Sequence, residues 1–159
     1  MPKNVTQKDI DAEDHLLEVL VKAGAIQSWR KLNDGEDYAH IDAEATTKKG
    51  VTFLLELRNR SGYTLEKITN YGGPFINLHK LWPSIHMART QGKSLYFAVL
   101  YAGDVVGLYD IYNVVDDAPA DRCNVKPERP QRNESRNQDV NDSCFAISLG
   151  KPELVFPER

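Results

Sequence analysis

The chain has 159 residues, of which 41% are hydrophobic, and a formal net charge of −3. That is enough apolar material for one folded domain with a real core, and the mildly acidic balance excludes a protein that coats nucleic acid through a global basic field. No apolar run approaches the roughly 20 residues that span a bilayer, and the opening Met1-Pro2-Lys3-Asn4 is not a signal peptide, so a soluble, cytoplasmic protein without a membrane partner is expected.

The first helix is predicted from near Thr6, where Thr6-Gln7-Lys8-Asp9 reads as a capping-box-like start, to Gly24. Its apolar stripe is Ile10, Leu17, Leu20 and Val21. Glu13 and Asp14 fall between Ile10 and Leu17, so either a carboxylate points towards the buried side or both lie in solvent, favoured there by the helix dipole. After a loop through Asn33-Asp34-Gly35, the alternation from Tyr38 to Ala45 puts Tyr38, His40, Asp42 and Glu44 on one face of a strand and Ala39, Ile41, Ala43 and Ala45 on the other. Lys48-Lys49-Gly50 turns into a second strand, Val51 to Arg60. There Phe53, Leu55 and Leu57 share one face, and Thr52, Leu54, Glu56, Arg58 and Arg60 share the other.

Ser61-Gly62 breaks that pattern, Thr64 to Asn70 reads as a short helix or an irregular lid, and Tyr71-Gly72-Gly73-Pro74 is a turn. Phe75 to Thr90 has approximate helical spacing, with Pro83 predicting two short helices or one with a kink. Leu95 to Tyr101 reads as a buried central strand, joined through Ala102-Gly103-Asp104 to a strand from Val105 to Tyr112. The polar segment Asp116 to Asp142 is predicted to be a long mobile loop, in which the bases Arg122, Lys126, Arg129, Arg132 and Arg136 are nearly balanced by acids. Cys123 and Cys144 lack the paired spacing of zinc ligands or of a disulfide framework. Cys144 to Leu149 returns to strand character, and Pro152 to Arg159 reads as a tail. The expectation is one domain over 1–159, of mixed α/β class, with a central sheet flanked by helices.

The chemistry concentrates between Asp42 and Arg60. A hairpin that sets Asp42 beside Glu56 makes an oxygen-lined pocket suited to a hard divalent cation such as Mg²⁺. The alternative is a surface lattice of ion pairs among Glu44, Glu56, Arg58 and Arg60, each worth little.

Glu13 with Leu16-Leu17, Leu20 and Gly24, then Asp42 at the end of His40-Ile41-Asp42, then Glu56-Leu57-Arg58 after Phe53-Leu54-Leu55, together resemble the PD-(D/E)XK nuclease superfamily of restriction endonucleases and archaeal-type Holliday-junction resolvases. The likeness extends more loosely to about Tyr112. It implies a restriction-endonuclease-like fold and metal-dependent hydrolysis of DNA phosphodiester bonds. It also implies Asp42, Glu56 and the Leu57 carbonyl as ligands of Mg²⁺ or Mn²⁺, Glu13 as an accessory catalytic group, and room for a homodimer. Arg58 stands where the family usually carries lysine. It supplies charge and a bidentate phosphate contact but stays protonated and cannot act as a base. Lys80, Arg60 and His40 are the candidate substrate contacts, Lys80 being placed to replace the missing ammonium. The rival expectation is a nuclease-fold protein without catalysis that binds nucleic acid or a protein partner.

Overall fold

The computed structural model describes residues 7–32, 41–112, 132–133, 138–139 and 146–157. Helix α1 spans Gln7–Lys22 and ends where Gly24 takes φ +79°, a left-handed turn that only glycine adopts without strain. Its buried residues are Leu16, Leu17 and Leu20. Ile10, expected in that stripe, is instead an exposed residue of the first turn. Among the described residues, no helix is long and apolar enough to cross a membrane.

Six strands form the main sheet in the order β1-β2-β3-β5-β6-β10. They are β1 (Ser28–Lys31), β2 (Ala43–Thr46), β3 (Thr52–Arg60), β5 (Leu95–Tyr101), β6 (Val105–Asp110) and β10 (Leu154–Phe156). The β3–β5 pair is parallel, with Glu56 opposite Phe97 and Arg58 opposite Val99. The other neighbours run antiparallel. A parallel pair needs a crossover, which here is built from α2 (Leu65–Asn70), β4 (Phe75–Asn77) and α3 (Leu78–Thr90). β4 pairs with β9 (Ala146–Ser148), and the two-residue strands β7 (Arg132–Asn133) and β8 (Gln138–Asp139) pair with each other.

The period-two pattern of β3 sorts its side chains onto two cores. Phe53, Leu55 and Leu57 pack with Leu16, Leu17 and Leu20 of α1, together with Ala43 and Ala45. Leu54 packs on the opposite face with Leu81, Ile85 and Ala88 of α3, and with Ile76 and Ile147 of the small sheet. The sheet is thus covered on both faces, and β5 is buried along nearly its whole length, as expected of a central strand.

Several expectations change. Ser28-Trp29-Arg30-Lys31, which carries no apolar alternation, forms the edge strand β1. Charged residues are common on such edges because they discourage pairing with other chains. The helix predicted from Phe75 divides into β4 and α3, and Pro83 lies inside α3 without splitting it. Pro83, the sixth of the thirteen residues of α3, removes one backbone donor, while Leu81, Ile85 and Ala88 hold the helix on the sheet by burial. The predicted tail contains β10, the far edge of the main sheet, which is too short to show a period. Of the loop expected over 116–142, only β7 and β8 fall within the described residues.

Gly72 to Pro74 docks against Leu149 and Gly150, with Leu149 N–H donating to the Pro74 carbonyl (2.9 Å) and Gly150 N–H to the Gly72 carbonyl (3.1 Å). Gly73 takes φ +90°, and a Cβ there would overlap the Gly150 backbone. Gly73→Ala is expected to destabilise the protein by about 2–4 kcal/mol, from overpacking and left-handed strain together. Urea unfolding at constant m-value measures the loss.

Candidate active site

The β2–β3 ladder ends at Ala43↔Leu55. Leu54 N–H donates to the Ser94 carbonyl on the β5 side, so the backbone groups of the odd-numbered residues Phe53, Leu55 and Leu57 face β2. The next position, Leu57, would regularly pair with Ile41. Its N–H instead donates to Asp42 Oδ2 at 2.8 Å, while Asp42 N–H donates to the Leu55 carbonyl at 3.2 Å. The Asp42 side chain therefore stands in for the ladder where β2 and β3 part. In an extended strand a residue's N–H and C=O leave on the same side, so the Leu57 carbonyl also faces the Asp42 side.

Glu56 lies on the α3 face of β3. Ser84, wholly buried on α3, donates its hydroxyl to Glu56 Oε1 at 2.6 Å. Arg58, two residues further along that face, sets its guanidinium 5.8 Å from the centre of the buried Phe97 ring, a cation–π contact that fixes a charge without neutralising it. Arg60 follows, its pKa lowered by desolvation and then by the like charge of Arg58.

Glu13 and Glu44 have other partners. Lys31 Nζ lies 2.6 Å from Glu13 Oε2 and 3.3 Å from Asp14 Oδ1. Lys31 is opposite Ala43 in the β1–β2 ladder, so this pair belongs to the α1 face. Burial disfavours the Lys31 ammonium, but Glu13 and Asp14 more than offset it and its pKa is raised. Glu44 accepts from Lys93 Nζ at 2.5 Å and Arg30 Nε at 3.2 Å, not from Arg58 or Arg60. The surface lattice weighed from the sequence is thus not the one formed, and Glu13 is engaged away from Asp42 and Glu56. Among the described residues, no three His, Cys, Asp or Glu side chains group closely enough to hold one ion. His40 lies outside the described residues, and Lys80 falls in the first turn of α3 with its side chain outside them.

A hard cation nonetheless suits what is present. Mg²⁺ is commonly held by one or two carboxylates, keeping waters and taking substrate phosphate oxygens for the rest of its shell. Asp42, Glu56 and the Leu57 carbonyl offer only oxygen donors. Ser84, Lys31 and Lys93 were missed from the sequence. The one available signal was a serine in the stripe Leu81, Ile85 and Ala88, where a polar residue asks for a buried partner.

No protein-family model matches the chain, and no curated protein matches it. Among solved structures the chain is similar to that of Archaeoglobus fulgidus Hjc, a Holliday junction resolvase from an archaeal hyperthermophile, at 17% identity over 65% of this chain and 73% of that chain, with a TM-score of 0.48. The fold of this chain rests on its own strand order and register, and its chemistry on its own side chains.

Two measurements probe these contacts. Ser84→Ala strips a carboxylate of a buried donor and is expected to cost about 1.5–3 kcal/mol, read by urea unfolding. Burial opposes ionisation of Glu44, but its bonds from Lys93 and Arg30 prevail and hold its pKa below the ordinary 4.5. A carboxylate with a lowered folded pKa stabilises the fold above the unfolded value, and that contribution disappears as pH falls through the folded value. The loss of stability between pH 5 and about pH 3 is therefore expected to be shallower in Glu44→Gln than in the parent, as measured by unfolding at each pH.

Proposed function

We propose that the protein is a metal-dependent nuclease that hydrolyses DNA phosphodiester bonds. The observation that carries this reading is the bond from Leu57 N–H to Asp42, which holds one carboxylate against the β3 residue that follows Glu56. Asp42, Glu56 and the Leu57 carbonyl would hold Mg²⁺ or Mn²⁺. The bound ion would acidify an attacking water and polarise the scissile phosphate.

The remaining work falls to the chain itself. Ser84 keeps Glu56 in one orientation by donating its hydroxyl to Oε1. Arg58, anchored over Phe97, binds the phosphate and offsets charge that builds on it, without any role as a proton acceptor. Glu13 is neutralised by Lys31, so an accessory role requires its release from that pair. DNA is the proposed partner, and a homodimer would let two sites act on two strands.

The second reading, a nuclease fold that binds nucleic acid without cutting it, is favoured by Arg58 in the lysine position. Incubation of plasmid, linear and branched DNA with Mg²⁺ or Mn²⁺ separates the two. Asp42→Asn keeps an oxygen that can accept from Leu57 N–H, so it tests charge rather than folding. Cleavage is expected to fall at least about 100-fold in Asp42→Asn and in Glu56→Gln, given the several kcal/mol that a catalytic ion supplies, and to vanish in EDTA. DNA binding by the parent with no cleavage in either metal would establish the second reading instead.

A further inference from the structure

Beyond Glu56, the outer end of β3 carries a row of cations with no acid paired to it among the described residues. Arg58 and Arg60 share the face of Glu56, about 7 Å apart along the strand. Asn59, Arg60, Ser61 and Gly62 are all exposed. The Arg60 guanidinium donates to the Asn59 carbonyl at 2.9 Å, and Arg58 rests on Phe97. Neither forms an ion pair among the described residues, whereas Arg30, Lys31 and Lys93 each hold a carboxylate. In a chain with net charge −3, two neighbouring guanidinium groups without a counter-charge among the described residues form a local anion-attracting stripe.

An aromatic ring is fixed at the end of that stripe. Tyr63 N–H donates to the Arg60 carbonyl at 2.9 Å, and the Tyr63 carbonyl accepts from Ala102 N–H at 2.9 Å. Its backbone is therefore held on both sides, yet the residue is 48% exposed. Lys67, on α2, places its ammonium 5.8 Å from the centre of the Tyr63 ring. Thr64 caps that helix by accepting from Lys67 N–H at 3.2 Å, so the lysine too is set by a local contact. An exposed ring on a clamped backbone, with a cation beside it and two more along the strand leading to it, alternates charge with a stacking surface. That alternation is the chemistry of a single-stranded nucleic acid, in which phosphates and unpaired bases repeat together.

We propose that Arg58, Arg60, Tyr63 and Lys67 form a track for an unpaired nucleic-acid strand leading away from Asp42 and Glu56, with Tyr63 stacking on one base and the three cations holding phosphates. The proposal rests on the nuclease reading for what happens at the start of the track, but not for binding along it. A duplex cannot give Tyr63 a base without melting, so the substrate class is one with a single-stranded segment next to the cleaved bond.

The test is equilibrium binding of a fluorescent single-stranded oligonucleotide and of its duplex, by anisotropy in EDTA. The parent is expected to favour the single strand. Tyr63→Ala is expected to weaken single-strand binding about 5- to 150-fold, corresponding to about 1–3 kcal/mol of stacking, and Tyr63→Phe to retain it. Arg60→Ala and Lys67→Ala are each expected to reduce the slope of log affinity against log salt by about 0.7, one phosphate contact apiece. Trp82 is 51% exposed but stands two residues before Ser84, about 160° around α3 from the side facing Glu56, so Trp82→Ala is expected to change nothing.

Equal affinity for strand and duplex, or a loss in Trp82→Ala matching that in Tyr63→Ala, overturns the track. If Tyr63→Ala does not fold, the strand-over-duplex preference of the parent and the salt slopes of the two cation variants decide. Cleavage with Mg²⁺ or Mn²⁺ is a separate readout: a parent that cuts DNA yet shows no single-strand preference refutes the track and keeps the nuclease, and one that prefers single strands without cutting does the reverse.

Discussion

The bond from Leu57 N–H to Asp42 Oδ2 sits where two demands on the chain conflict, and it answers both. β3 continues past the end of β2 to pair with β5 along most of its length, which leaves its β2-facing backbone groups beyond Leu55 without a strand partner among the described residues. A buried amide left in that state costs about 1–3 kcal/mol. A short carboxylate at position 42 fills the need from the departing strand. It is thereby fixed at an opening between strands, the place where a mixed sheet can present backbone and side-chain oxygens together. The same interaction that completes the sheet orients the candidate ligand, so architecture and chemistry at this point are not separable.

Around that opening, charge is sorted by face. On the α1 face Lys31 satisfies Glu13 and Asp14. At the β1–β2 edge Arg30 and Lys93 satisfy Glu44. These pairs keep neighbouring acids from adding to the negative field near Asp42 and Glu56. What they leave is a short gradient along one face of β3, from the carboxylate of Glu56 to the guanidinium groups of Arg58 and Arg60. Under the proposed nuclease reading, a phosphodiester lying along it would meet a carboxylate at one end and positive charge at the other. Glu56 itself is held by Ser84, and a hydrogen bond from a buried hydroxyl secures orientation without introducing another charge into the core.

The parts of this arrangement visible in the sequence are those governed by a strong period. The alternation of β3 is long enough to assign Leu54, Glu56 and Arg58 to one face and Phe53, Leu55 and Leu57 to the other, and the two cores confirm that division. The apolar run of β5 likewise marks a strand covered on both sides. β1 and β10 were not visible because an edge strand of three or four residues has half its groups in solvent and needs no apolar rhythm. The partners of Glu13 and Glu44 were not visible either. Lys31 reaches from an edge strand to α1 and Lys93 from the far end of a crossover, and no local spacing reports such contacts. Of the two alternatives that Pro83 left open, two short helices or one with a kink, the structure has one helix that contains the proline, held on the sheet by burial of Leu81, Ile85 and Ala88.

Arg58 shows how far residue identity can be taken. A lysine at this position would offer a compact, strongly hydrated ammonium on a flexible stem, able to shift its pKa on burial. The guanidinium is planar, permanently charged and able to lie flat on an aromatic ring, and here it rests over Phe97. That contact favours arginine for a reason internal to the sheet, independent of catalysis. It also fixes a fork of donors, which suits two oxygens of one phosphate better than a single water molecule. Under the proposed nuclease reading, an arginine here would hold a phosphate rather than handle a proton. On that reading, a proton removed from an attacking water would go to a carboxylate of the site or to solvent. Arg58 and Arg60 act alike as fixed charges on one strand face, and they differ in what they rest on: one lies on the buried core, the other at the exposed end where the strand turns towards Tyr63.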